Sequence, residues 1–69
     1  MSDLDARLLE AHARDDRVAL VALYSEAADA ANTDKARGFY LTHAFVFALE
    51  SGAPEAPALR ARLQEMGRI

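Results

Sequence analysis

The sequence has no cysteine, which rules out both a disulfide framework and a thiolate metal site. Long hydrophobic runs are missing as well. The best candidate, Ala44-Phe45-Val46-Phe47-Ala48-Leu49, has six residues, whereas a helix crossing a hydrocarbon core needs about 20. The opening residues Met1-Ser2-Asp3-Leu4-Asp5 are acidic, and a secretory signal instead begins basic and continues apolar. These features predict a cytoplasmic location with no membrane partner. A basic surplus is also lacking: the net charge is -3 and the sequence pI about 5.2, so a phosphate-dominated nucleic-acid footprint is not expected.

What is present is a chain of 69 residues, 52% hydrophobic and 28% charged, which fits a single helical domain spanning 1–69 and argues against extended disorder. Domains this small that lack disulfides or metals are marginal, which makes cover of the apolar surface by a partner an expectation to test. The charge is unevenly spread. Asp3, Asp5, Glu10, Asp15 and Asp16 crowd the start, while Arg60, Arg62 and Arg68 crowd the end, offset there by Glu65. Complementarity to helix dipoles and a solvated face account for this pattern. The alternative is a nucleic-acid-linked regulatory protein that uses the Arg-rich C-terminal helix.

Apolar spacing predicts an all-α protein of about four helices. Ser2 is positioned to cap a first helix over Asp3 to Ala13, which carries Leu4, Leu8 and Leu9. Arg14-Asp15-Asp16 interrupts the pattern, and Asp16 is placed to cap a second helix from Arg17, although one continuous kinked helix would also fit. Leu20, Leu23, Tyr24, Ala27, Ala28 and Ala31 then form one stripe at a 3.6-residue period. At Asn32-Thr33-Asp34 a tight hairpin is expected, with Asn32 suited to a left-handed helix end and Thr33 to the next N-cap. The third helix runs from Asp34 to Ser51 and stops at Gly52, and a last helix, with Pro54 or Pro57 in its first turn, ends at Gly67.

The third helix is apolar around more than half its circumference. Ala36, Tyr40, His43, Ala44, Phe47 and Ala48 make one stripe, and Leu41, Phe45 and Leu49 make a neighbouring one. A helix of this kind is either central to its fold or in contact with a partner. Leu41, Phe45 and Leu49 are therefore the candidate interaction residues unless the first or last helix covers Phe45. Gly38 joins them as a place where another helix could cross closely, and His43 as a contact on the apolar stripe. A core role for His43, with a hydrogen-bond partner such as Tyr24 or Glu26, is the plainer expectation. His12 reads as a residue at the solvent edge. Tyr24 and Tyr40 are expected to pack near each other across the hairpin, and Ser25 and Thr42 to bond back to carbonyls of their own helices.

Alanine at the inner positions of the second and third helices, together with Leu20, Leu23, Ala36 and Tyr40, resembles a single degenerate tetratricopeptide-like repeat over residues 20–52. Leu23-Tyr24-Ser25-Glu26-Ala27-Ala28 is similar to a segment of the Sel-type branch. The chain departs from the pattern at Tyr24, where glycine is usual, at Ala27, where tyrosine is usual, and at Ala48, where proline is usual. The resemblance implies a central helical hairpin and a binding module, and it transfers no catalytic residue.

No nucleophile elbow, phosphate-cradling glycine loop or paired carboxylate is evident, and His12 and His43 do not share a metal-binding spacing. The expectation is a small protein–protein interaction module without catalytic, cofactor-binding or metal-binding residues, and not an enzyme. Its partner would be another protein or, through a homodimer, itself; no nucleic acid and no small-molecule substrate is expected.

Overall fold

The computed structural model describes residues 3–69, in four helices joined by short turns and, among those residues, without strands. Helix α1 spans Asp3–Ala13, α2 Arg17–Ala30, α3 Asp34–Ser51 and α4 Ala56–Glu65. The expected Ser2 cap lies outside the described residues. Each helix packs on its neighbour in sequence, and the Cα trace fills a flat slab of 31 × 28 × 12 Å. The all-α class and the helical hairpin are thus observed directly.

Local chemistry sets the helix ends. Asp16 accepts from the Ala19 amide at 3.1 Å and Thr33 from the Ala36 amide at 3.1 Å, each satisfying a donor that a helix N-terminus leaves open. Three helices close with the same paired bonds. Gly52 adopts φ 65° while Ala53 donates to Ala48 and Gly52 to Leu49. Gly67 adopts φ 73° while Arg68 donates to Leu63 and Gly67 to Gln64. At the end of α1 the left-handed residue is Asp15, with φ 51°, while Asp16 donates to Ala11 and Asp15 to His12. Asp16 therefore finishes one helix and caps the next, which separates α1 from α2.

The hairpin turn corrects one expectation. Asn32 is not left-handed, because α2 ends at Ala31 in extended geometry, φ -69° and ψ 139°. Arg37 stabilises this end instead. Its guanidinium donates to the Ala31 carbonyl at 3.1 Å and to the Asp34 carboxylate at 2.8 Å, placing positive charge at the carbonyl end of α2. Pro57, rather than Pro54, occupies the first turn of α4, where its missing amide costs nothing.

The core joins α2, α3 and α4 through Val21, Ala28, Leu41, Ala44, Ala48, Leu59 and Leu63. Ala11 of α1 and Leu20 and Ala27 of α2 are buried as well, and α1 packs on α2. The register of the hairpin is antiparallel: Arg17 at the start of α2 reaches Glu50 at the end of α3, at 3.2 Å, and Tyr24 lies against Tyr40, His43 and Phe47. Longer ties close the two sides. Arg7 of α1 pairs with Glu26 at 2.6 Å, and Arg62 of α4 with Asp29 at 2.9 Å. These pairs are exposed, so they set register more than they add stability.

Leu41 and Leu49 separate sharply, at 0% and 59% exposure. Leu41→Ala is expected to lower stability by about 3 kcal/mol through the cavity it leaves, while Leu49→Ala changes it by less than about 0.5 kcal/mol. Urea unfolding of the two variants followed by circular dichroism checks this, and equal losses would contradict the packing.

Candidate functional site

The sequence groups Leu41, Phe45 and Leu49 as one interaction stripe, but the structure divides them. Leu41 is fully buried among Ala44, Leu59 and Leu63, so it is a core residue and not a contact for a partner. Phe45 is half-buried against the core, and α4 supplies the cover: Phe45 and Leu49 share a groove of about 460 Å³ with Ala56, Pro57, Arg60 and Gln64. Only Leu49 of the three faces outward. A step of four residues advances a helix by 40° beyond a full turn, so 41, 45 and 49 drift from the core to solvent instead of lining up.

Gly38 is buried, yet no helix crosses it. A Cβ there would lie 2.6 Å from Arg68 Nε, because the C-terminal Arg68 side chain lies across the glycine. Arg68 also donates to the Asp34 carbonyl at 3.4 Å. The close approach expected at Gly38 is therefore that of a flexible side chain within the same chain.

His43 bonds within its own helix rather than to Tyr24 or Glu26. Its Nδ1 donates to the Phe39 carbonyl at 2.9 Å, and since a carbonyl only accepts, the proton of the neutral ring sits on Nδ1. Tyr24 meets His43 by stacking, with ring centroids 5.2 Å apart and 29° between planes. Tyr24 is the hub of a ring cluster. It stacks on Phe47 at 5.8 Å, lies 6.3 Å from Tyr40, and shares a 2.9 Å hydrogen bond between its hydroxyl and His12 Nε2. His12 is exposed as expected, but it also meets Phe47 edge-on at 6.0 Å, so it anchors α1 to the hairpin. Burial, and then the neighbouring Tyr40, push the Tyr24 phenol above its ordinary value. Ser25 and Thr42 bond back to Val21 and Gly38 as expected, at 2.8 and 2.7 Å.

The ring cluster is held by ring faces, ring edges and the hydrogen bonds of His12 and His43. Among the described residues there is no group of three or more histidines or carboxylates able to hold a metal. No helix among them is long and apolar enough to cross a membrane. Of the C-terminal arginines, Arg62 is tied to Asp29, Arg68 covers Gly38, and Arg60 rims the Phe45 groove, so the three do not form one continuous basic stripe.

A row absent from the sequence reading emerges on the outer side of α3. Phe39, Val46 and Leu49 are 56%, 45% and 59% exposed, and Thr42 stands between Phe39 and Val46 with its hydroxyl turned back to Gly38. The intervals between the four residues are three, four and three, the spacing of a coiled-coil seam. That spacing was available in the sequence. It was masked because the inner stripes of the same helix are equally apolar, so periodicity alone did not indicate which side would be covered.

Two outcomes follow from this geometry. Tyr24→Phe loses the bond to His12 and should lower stability at neutral pH by about 0.5–1 kcal/mol. In the parent protein the raised phenol value means stability is fully present below the unfolded value of 10.0 and declines as pH rises above it, and in Tyr24→Phe that alkaline decline should shrink. Denaturation measured across this pH range tests both points. Gly38→Ala should displace the flexible end of Arg68 and raise the urea midpoint, by as much as about 1 kcal/mol in stability, from improved helix propensity. A fall in that midpoint would mean that something less yielding than Arg68 occupies the space.

The chain matches no protein-family model, no curated protein and no solved structure.

Proposed function

We propose that the protein is a small helical protein–protein interaction module, with no catalysis of its own, whose contact face is the outer side of α3. The observation that carries this reading is the exposed row Phe39, Thr42, Val46 and Leu49 at seam spacing. Large apolar side chains elsewhere on the surface, Leu9 on α1, Val18 on α2 and Ile69 beyond α4, form no such row on a single helix face. The polar bonding of the fold also supports the reading. The rings of Tyr24, His12 and His43 are engaged through Tyr24, and ion pairs join α1 to α2, α2 to α3 and α2 to α4. We further propose that α2 and α3 act as a tetratricopeptide-like hairpin, a rigid support that presents one helix face. A partner suited to this face is an amphipathic helix whose own apolar row packs against α3.

The test places a photoreactive phenylalanine derivative at position 46 and, separately, at position 22, which is exposed on α2. Irradiation in the cells that make the protein should give discrete adducts of higher mass from position 46 and none from position 22. No adduct from position 46, or the same adducts from both positions, overturns the reading.

A further inference from the structure

Leu49 apart, the outer side of α3 is arranged symmetrically in charge and apolar size. Lys35 stands one turn before Phe39, and Glu50 follows directly after Leu49. Both are exposed on the same side of the helix as the row. The pairs Lys35 and Glu50, Phe39 and Val46, and Thr42 and His43 share one midpoint, between Thr42 and His43. Reversing α3 about that midpoint exchanges a positive end for a negative one and lays one large apolar residue on another.

Resting on the interaction reading above, we infer that the partner of this face is a second copy of the chain, packed with α3 antiparallel to α3 about a two-fold axis at Thr42 and His43. Such an interface is isologous, so each favourable contact occurs twice. Phe39 meets Val46 of the partner subunit on both sides of the axis. Lys35 meets Glu50 of the partner subunit at both ends. Lys35 has no ion pair among the described residues, and Glu50 has one exposed partner, Arg17 at 3.2 Å, which leaves its second carboxylate oxygen for a lysine. A parallel arrangement would set Lys35 against Lys35 and Glu50 against Glu50, so charge selects the antiparallel one. At the axis Thr42 presents its methyl group, because its hydroxyl is bonded to Gly38. One helix seam of this length belongs to the smaller interfaces, below about 1,200 Å² in total, so a dimer with a dissociation constant on the order of micromolar is expected.

Sedimentation equilibrium on the purified chain and an orientation probe test the inference together. The chain should show a concentration-dependent monomer–dimer equilibrium. Lys35→Glu should weaken it about tenfold, since both ends then carry like charges, and Lys35→Glu combined with Glu50→Lys should restore it. Circular dichroism confirms that each variant is folded. Because the protein has no cysteine, an introduced one reports orientation cleanly. Thr42→Cys should form a disulfide-linked dimer, while Lys35→Cys should not, its two copies being about 22 Å apart along the antiparallel seam. Linkage through position 35, no rescue by the charge exchange, or a monomer at all concentrations overturns the inference. If the chain is a monomer and position 46 instead cross-links a different polypeptide, self-association fails while the interaction reading stands.

Discussion

The contact between α2 and α3 through Ala28, Ala44 and Ala48, all at 0% exposure, is the constraint on which the rest depends. Alanine has no side-chain rotamers to lose and lets two backbones approach closely, so a short chain gains a dense seam from small residues. The seam also sets register. With α2 and α3 antiparallel, Arg17 falls opposite Glu50 and Tyr24 falls opposite the ring residues of α3. Leu41, Leu59 and Leu63 then occupy the adjoining side of α3, where α4 packs. Two neighbours on adjacent sides leave α3 a third side facing outward, as a slab only 12 Å thick requires.

Tyr24 turns that register into a joint between three helices. Its ring lies on His43 and Phe47 of α3, and its hydroxyl reaches His12 of α1, so this bond and the Arg7–Glu26 pair hold α1 beside the apolar contact at Ala11. The same burial that makes the ring useful for packing raises the cost of ionising it. No buried side-chain polar atom among the described residues lacks a hydrogen-bond partner, which fits a core built almost wholly from alanine, valine and leucine.

The helix limits were readable wherever a specific residue type performs a specific backbone task. Asp16, Thr33 and Gly52 are legible because a side-chain acceptor or a positive φ is needed at those positions, and few residue types provide either. Asp15 was not legible as a left-handed residue, since aspartate takes that conformation much less readily than glycine and Asn32 looked the better candidate. The candidate site was read only in part. Periodicity located the over-apolar helix, but it could not place Leu41 inside and Phe39 and Val46 outside, because that depends on where α2 and α4 settle. The neighbour of Gly38 was hidden for a similar reason: it is Arg68, thirty residues away in sequence and placed there only when α4 docks.

Connectivity explains why the chain does not cover the outer row of α3 itself. The links 14–16 and 31–33 have three residues each and the link 52–55 has four, so every helix is confined to the side of its sequence neighbour. α1 has 11 residues and is tied to α2 by Arg7 and His12, while α4 has 10 and is tied to the core by Leu59, Leu63 and Arg62. Neither has the reach to cross α3 to its far side. The 18 residues of α3 therefore carry more apolar surface than 69 residues in this topology enclose, and the excess is gathered into one row instead of being scattered. A scattered excess would favour indiscriminate association, whereas a row bounded by lysine at one end and glutamate at the other distinguishes one direction of approach from its reverse.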